Sequence, residues 1–330
     1  MIKFLVFGDL HYDYATKGDE RIKEILARAK TENVDFMISL GDVTAPFEKY
    51  DHVIEKFGNC GIPIHYVLGN HDVKVNLEDT MAFLHLEKPF YSFTQGNVKF
   101  ILLNSNYERQ GEEEYSFPNR KGENVITPII PSFEMDWLKK ELEEDEKSYV
   151  IFSHHSLINE FRERGIKNRK EVHALFGGKR VLLCMNGHDH GEAFKLWDQV
   201  PYYTLNSAFG PWIGVPNDDP AIKERYAYLY GYVPYDRALS AVVTIEEVSD
   251  SAGAEEAIGD ASGSAGADKA TRGAEPGITV HIDGMQGDYE AVTPAELGLA
   301  EPKWNGVSVE PKASSYVITF SIGGAQVSKP

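Results

Sequence analysis

At 330 residues, with 42% apolar and 25% charged side chains, the chain is long enough for one large domain or two ordinary ones and has the composition of a globular protein. No apolar stretch reaches membrane-spanning length, and Met1-Ile2-Lys3 runs directly into an apolar strand. A membrane span and a secretory leader are therefore not expected, and a cytoplasmic location is. A net charge of −18 repels nucleic-acid phosphates and argues against a nucleic-acid polymer as partner.

The first half of the chain alternates strand and helix. Residues 2–7 read as a strand, and Ile22, Ile25, Leu26 and Ala29 follow at helical spacing. Residues 36–40 form a second strand ending at Gly41-Asp42, and Val53, Ile54 and Phe57 mark a helix closed near Gly58. A third strand, 62–68, ends at Gly69-Asn70-His71-Asp72. This alternation predicts a sheet that is parallel at least in part, with sites at its strand ends. A hairpin over 90–103 turns at Gln95-Gly96-Asn97. Residues 107–131 are polar and read as a long irregular loop, a type that is often functional. Ser132 is placed to cap a helix carrying Met135, Leu138 and Leu142. Strands over 149–152 and 181–185 each lead to a histidine-bearing loop, and 202–205 and 241–245 read as further strands.

Residues 249–276 are Ala, Gly, Ser, Asp and Glu with almost no large apolar side chain, which predicts a flexible linker. The expected organisation is a catalytic domain over 1–248, that linker, and a C-terminal β segment over 277–330. The segment either completes the main sheet or forms a small unit packed on it. Cys60 and Cys184 lie in or beside apolar stretches and are expected as reduced thiols. Oligomeric state is left open.

The chemistry concentrates at the strand ends. Asp9, His11, Asp42, Asn70, His154, His188 and His190 offer oxygen and imidazole donors of the kind that suit Mn, Fe or Zn. Singly these signals are weak, since a Gly-Asp after a strand is usually a turn and a loop histidine is usually at the surface. As an ordered set they are specific. They exceed what one ion takes, and two divalent ions sharing Asp42 would use them all. Two-metal sites clamp the attacking and leaving oxygens of an in-line phosphoryl displacement.

The series Asp9-Leu10-His11, Gly41-Asp42, Gly69-Asn70-His71-Asp72, His154 and Gly187-His188-Asp189-His190 resembles the calcineurin-like metallophosphoesterases over roughly residues 1–245. The resemblance implies an α/β (α+β) fold in which two mixed β-sheets pack as a sandwich flanked by helices. It assigns Asp9, His11, Asp42 and His190 to one ion and Asp42, Asn70, His154 and His188 to the other. It further implies attack by a metal-bridging hydroxide, with His71 over the phosphate to stabilise the transition state or protonate the leaving oxygen. One position departs from pattern: where the family often carries Asp or Asn to support that histidine, this chain has Ala45. His71 is then expected to lean on Asp72 or a backbone carbonyl, or to act by position.

His155, Asn104 and Asn106 are candidate substrate contacts. Tyr107, Phe209 and Trp212 are candidates for stacking on a base or aryl group, with core packing as the competing reading. The expected function is metal-dependent hydrolysis of a small soluble phosphoester, a diester by preference. Phosphomonoester hydrolysis, nucleotide pyrophosphate hydrolysis and a non-catalytic metal-binding scaffold are the alternatives. A β-lactamase-like two-metal site needs a His-x-His-x-Asp-His cluster, which Gly187-His188-Asp189-His190 does not provide.

Overall fold

The computed structural model describes residues 1–119, 127–144, 146–158, 164–212, 220, 224, 232–248, 277–290, 295–296, 303–304, 307–321 and 324–330. The predicted linker over 249–276 lies outside them. In chain order the elements are β1 (Ile2–Phe7), α1 (Gly18–Thr31), β2 (Phe36–Ser39), α2 (Asp51–Gly58), β3 (Ile64–Tyr66), α3 (Leu77–Phe83), β4 (Tyr91–Gln95), β5 (Val98–Leu102), β6 (Tyr107–Gln110) and β7 (Glu113–Ser116). Then follow α4 (Ser132–Glu141), β8 (Ser148–Ser153), α5 (Arg169–Ala174), β9 (Arg180–Asn186), β10 (Ala193–Trp197), β11 (Val200–Thr204), β12 (Ala241–Val248) and β13 (Gly277–Asp283). Short strands β14 to β17 (Met285–Gln286, Lys303–Trp304, Val307–Ser308 and Lys312–Ala313) precede β18 (Tyr316–Ser321) and β19 (Gly324–Ser328).

Two mixed sheets result. One has the order β19-β18-β13-β12-β1-β2-β3, the other β10-β11-β9-β8-β5-β4. β1, β2 and β3 are parallel, as are β5, β8, β9 and β11. Period-2 geometry explains why β1 is apolar throughout. Phe4 and Val6 point into the core between the sheets, while Leu5 and Phe7 point outward to Ile22, Ile25 and Phe57 of α1 and α2. Phe4 stacks on Phe36 and meets Phe100 and Phe152 of the opposite sheet edge-on, at centroid distances of 5.5 and 6.1 Å. The outer face of the second sheet, with Ile101, Tyr149 and Ile151, is covered by Leu138 of α4 and Val172 of α5. Each fully buried Phe or Ile in these layers contributes about 1.5–3 kcal/mol of hydrophobic stabilisation.

The C-terminal strands continue the first sheet. β13 pairs antiparallel with β12 and β18 with β13, and their residues Ile278, Val280, Ile282 and Ile318 enter the same inter-sheet core as Phe4.

Two local expectations change. The segment 107–131 is not irregular at its start: β6 and β7 form a hairpin turned at Gly111 (φ 66°), with Arg109 and Glu114 paired across it at 2.7 Å. Ser132 is the first helical residue of α4, not its cap, and Pro131 occupies the cap position. The Ser132 N–H and hydroxyl both donate to the Glu114 carboxylate, each at 2.8 Å. The hairpin thus supplies the acceptor that a capping side chain would have supplied.

Candidate metal centre

Because β1, β2 and β3 run parallel, their C-terminal ends lie side by side, and β8 and β9 end at the same edge of the sandwich. The loops leaving them are fastened to one another through the backbone. Asp9 N–H donates to the Gly41 carbonyl (3.0 Å) and His11 N–H to that of Asp42 (2.9 Å). His188 N–H donates to both Asp9 oxygens at 3.1 and 2.9 Å. Asp9, His11, Asp42, His188 and His190 all have φ between 46° and 66°. Left-handed backbone costs a residue with a Cβ roughly 1–2 kcal/mol. Here it turns side chains from separate loops toward one point.

At that point nitrogen and oxygen donors crowd together. His11 Nε2 lies 3.0 Å from His190 Nε2 and 3.5 Å from Asp42 Oδ2, and His190 Nε2 lies 3.5 Å from Asp9 Oδ1. His154 Nε2 lies 3.3 Å from Asp42 Oδ2, 3.1 Å from Asn70 Oδ1 and 3.2 Å from His188 Nδ1. The ligand atoms of Asp9, His11 and His190 fall within 4.8 Å of one another, as do those of Asp9, Asp42 and His154, of His11, Asp42 and His71, and of His154, His155 and His188.

Two tautomers are set by carbonyls. His154 Nδ1 is 2.8 Å from the Leu40 carbonyl and His190 Nδ1 2.7 Å from that of Gly210. With Nδ1–H donating outward to its carbonyl, each ring turns Nε2 inward, where the neutral form offers a lone pair. Burial holds His11 and His188 well below the usual imidazole range and His190 at about 4. Burial alone would lower His154 as well, but Asp42, Asp9 and the Leu40 carbonyl outweigh it and raise it to about 9, so without an ion its inward Nε2 carries a proton that a bound ion would displace. Burial raises Asp9 well above the ordinary carboxylate range; for Asp42 it acts in the same direction, but His154 and His71 overcome it and keep that carboxyl well below. Imidazole nitrogens of His11, His154, His188 and His190 crowded within 3.0–3.5 Å of one another or of two buried carboxylates fit divalent transition ions.

His71 donates its backbone N–H to Asp42 Oδ1 at 2.7 Å, and its ring meets His11 edge-on at 4.7 Å. Burial lowers its pKa. The expectation that Asp72 supports this ring needs correcting. Both Asp72 oxygens are taken by backbone N–H groups, those of Gly69 (2.8 Å), Asp42 (2.8 Å) and Val43 (3.0 Å). Burial pushes its pKa up to about 7 against those donors. Ala45 is buried and supplies no polar side-chain atom.

Of the expected substrate contacts, Asn104 and Asn106 are buried behind the site. Asn106 Nδ2 donates to the Leu68 carbonyl (2.7 Å) and to Asn104 Oδ1 (2.8 Å), bracing the loop that carries Asn70. His155 is buried too, with Nδ1 2.8 Å from Ser105 Oγ and its ring 4.2 Å from that of His188. Among the aromatic candidates, Phe209 is buried under the Arg21 guanidinium and Tyr107 packs on Phe133. Trp212 reaches the site, 6.4 Å from His11 and 6.3 Å from both His71 and His190 between ring centroids. Sequence reasoning missed Ser207, whose hydroxyl donates to the Asp9 carbonyl (2.9 Å) and accepts from Phe209 and Gly210 N–H. The small polar run Asn206-Ser207 just after β11 was the available signal. It also missed Tyr14 and Lys74 at the mouth.

No helix among the described residues is long and apolar enough to cross a membrane. Residues 2–192 match the calcineurin-like phosphoesterase family. Tartrate-resistant acid phosphatase type 5 of Mus musculus is 24% identical over 241 residues, covering 64% of this chain and 70% of that protein. A probable cyclic nucleotide phosphodiesterase of Psychrobacter arcticus is 26% identical over 191 residues, covering 55% of this chain and 66% of that protein. The crystal structure of a dimetal phosphatase from Danio rerio shares the fold, with a TM-score of 0.51 at 14% identity over 73% of this chain and 95% of that one. With two mixed sheets, His and Asp donors gathered at their edge, and a family match over more than half its length, the chain belongs to the calcineurin-like phosphoesterases, hydrolases of phosphoester bonds that work with a pair of metal ions.

Proposed function

We propose that the chain hydrolyses a small phosphodiester. Asp9, His11, Asp42 and His190 would hold one ion, and Asp42, Asn70, His154 and His188 the other. The observation that carries this reading is the inward-facing Nε2 of His154 and of His190, each ring held by a carbonyl at Nδ1 on its far side. Ions bound there supply Lewis acidity and lower the pKa of water toward neutrality. The protein does the rest. Asp42 bridges the two donor groups and, through the His71 backbone N–H, fixes the loop that carries His71. His71 lies outside the proposed ligand set, with its ring edge-on to His11 at 4.7 Å and 6.3 Å from the exposed Trp212. It is the imidazole free to hydrogen-bond to charge developing on the ester oxygen.

A diester carries one negative charge where a monoester carries nearly two, and the net charge of −18 favours the less charged substrate. The acid phosphatase name of the mouse relative favours a monoester as the second reading. A reducing, cytoplasmic setting belongs to the same proposal, since Cys60 and Cys184 are both free. The test is kcat/KM of the Mn²⁺-loaded protein on bis-p-nitrophenyl phosphate against p-nitrophenyl phosphate. A higher value for the monoester overturns the diester preference. No turnover of either across the neutral pH range, with metal shown to be bound, overturns the assignment.

A further inference from the structure

The mouth of the site is aromatic. Seven large apolar side chains are exposed among the described residues, and four of them, Tyr14, Phe47, Val75 and Trp212, stand on loops that have just left a site segment. Tyr14 and Trp212 come nearest the chemistry. The Tyr14 ring is 6.1 Å from His11 and 5.9 Å from His71, and Trp212 is 6.3 Å from His71 and from His190. Both nevertheless keep more than a third of their surface open, 38% for Tyr14 and 40% for Trp212. They meet each other at 86° with centroids 6.3 Å apart, so neither buries the other's face. They are also held in place: Tyr232 packs on Trp212 at 5.6 Å and donates its hydroxyl to the Tyr14 carbonyl at 2.8 Å. Lys74 stands over the Tyr14 ring at 5.0 Å and donates to its hydroxyl at 2.8 Å, placing a cation beside the aromatic wall.

Rings left open beside a deep polar site mark where an apolar part of a ligand sits. We propose that Tyr14 and Trp212 are specificity-determining residues, forming a wall that takes a flat aromatic group carried by the phosphoester. This rests on the hydrolase reading above and narrows it to esters bearing an aryl ring or a nucleobase. The ring offers its face to Trp212 or Tyr14, and the anionic remainder of the ester lies toward Lys74 and the donor cluster.

The test is calorimetric binding of methylphosphonate, phenylphosphonate and a nucleoside phosphonate to the metal-loaded full-length chain. Stacking of one ring predicts about tenfold tighter binding of an aromatic phosphonate over methylphosphonate. That preference falls to about twofold or less in Trp212→Leu and Tyr14→Leu and is retained in Trp212→Phe, with metal content unchanged as the check on folding. Preference for phenylphosphonate alone assigns the wall to an aryl ester. Preference for the nucleoside phosphonate alone assigns it to a base one sugar away. Equal affinity for all three, no binding of any, or an aromatic preference that survives both leucine substitutions overturns the proposal. Because binding is read without turnover, a wild-type protein that hydrolyses bis-p-nitrophenyl phosphate but shows no aromatic preference discards the wall and keeps the hydrolase.

Discussion

Replacing Asp72 with alanine separates two roles for this carboxylate. If it serves as the partner of His71, its loss lowers kcat and leaves the fold alone. If it serves as the observed clamp, the loss is structural. Its oxygens accept the N–H groups of Gly69, Asp42 and Val43 at 2.8, 2.8 and 3.0 Å, and the residue is only 2% exposed, so water cannot readily replace it. Each buried donor left without a partner costs about 1–3 kcal/mol, and three donors sharing one acceptor do not add fully, so we expect a loss of roughly 3–6 kcal/mol. That is a large part of the 5–15 kcal/mol typical of a folded domain, written here as an order of magnitude. Two of the three donors flank the Asp42 side chain, which binds the His71 N–H and lies 3.3 Å from His154. Loosening it should weaken metal binding by about 10–100-fold. Asp72→Asn retains one acceptor oxygen but turns an NH₂ toward a backbone donor, so it recovers only part of the loss. Urea unfolding and Mn²⁺ titration read both effects. An Asp72→Ala protein with the wild-type urea midpoint and metal affinity, slowed only in kcat, would refute the clamp and restore the partnership with His71.

Asp42→Ala should leave less than one bound metal ion per chain by atomic absorption, because it removes the carboxylate common to both proposed ligand sets; full metal content would refute its bridging role. His71→Ala should keep its metal and lose kcat by about 10² if the imidazole acts as an acid. Ile318→Ala should destabilise the fold by about 2–5 kcal/mol in urea unfolding, and a chain stopped at residue 249 should aggregate, since Ile318 and Val280 lie inside the inter-sheet core; a soluble, active truncated chain would show the C-terminal strands to be dispensable. Glu134 is fully buried, with one oxygen accepting Asn104 N–H, and burial holds its pKa well above the ordinary carboxyl value. The folded chain therefore binds a proton that the unfolded chain releases near pH 4.3, so the contribution to stability is full below about that pH and is lost by about 1.4 kcal/mol per unit as pH rises toward the folded-state pKa. The melting-temperature advantage of Glu134→Gln over wild type should grow as pH rises above the unfolded-state value, and a pH-independent difference would contradict this.

How much could be read before folding depended on the range of the signal. β1 announces itself in six residues because both its faces are covered, by the second sheet on one side and by α1 and α2 on the other. The polar hairpin β6–β7 gives no such alternation, and its order comes from Arg109 paired with Glu114 and from Glu114 bound to the start of α4. Ser132 looked like a cap because a local rule was applied where a residue 18 positions away does the work. The C-terminal strands carry legible β patterns, but their place in the sheet is fixed by β12, which precedes residues 249–276 in the chain. Asp72 was misjudged for a similar reason: adjacency in sequence suggested His71, while the backbone donors of the neighbouring loop are invisible in a list of side chains. The carbonyls of Leu40 and Gly210, which set two imidazole tautomers, are equally silent in the sequence.

The glycines explain why the site was nonetheless visible. A Cβ on Gly69 would fall 2.1 Å from Asp42 Oδ1 and 2.3 Å from the Asp42 nitrogen, and a Cβ on Gly187 would fall 2.6 Å from Asp9 Oδ2. In both cases the obstacle is a carboxylate brought in from a different strand end. The Gly that precedes Asn70-His71 is thus required by Asp42, and the Gly that precedes His188 is required by Asp9. Each short motif records, in its first residue, the approach of a side chain from another motif. The signals are therefore not independent, and their joint appearance in order carries information that no single Gly-His or Gly-Asp holds. Gly69→Ala and Gly187→Ala should accordingly behave as defects of Asp42 and Asp9. Metal content should fall in both, although neither glycine offers a ligand. Unchanged metal binding in both would show that the loops can separate without consequence, and that the left-handed residues around them, rather than close approach, hold the donors together.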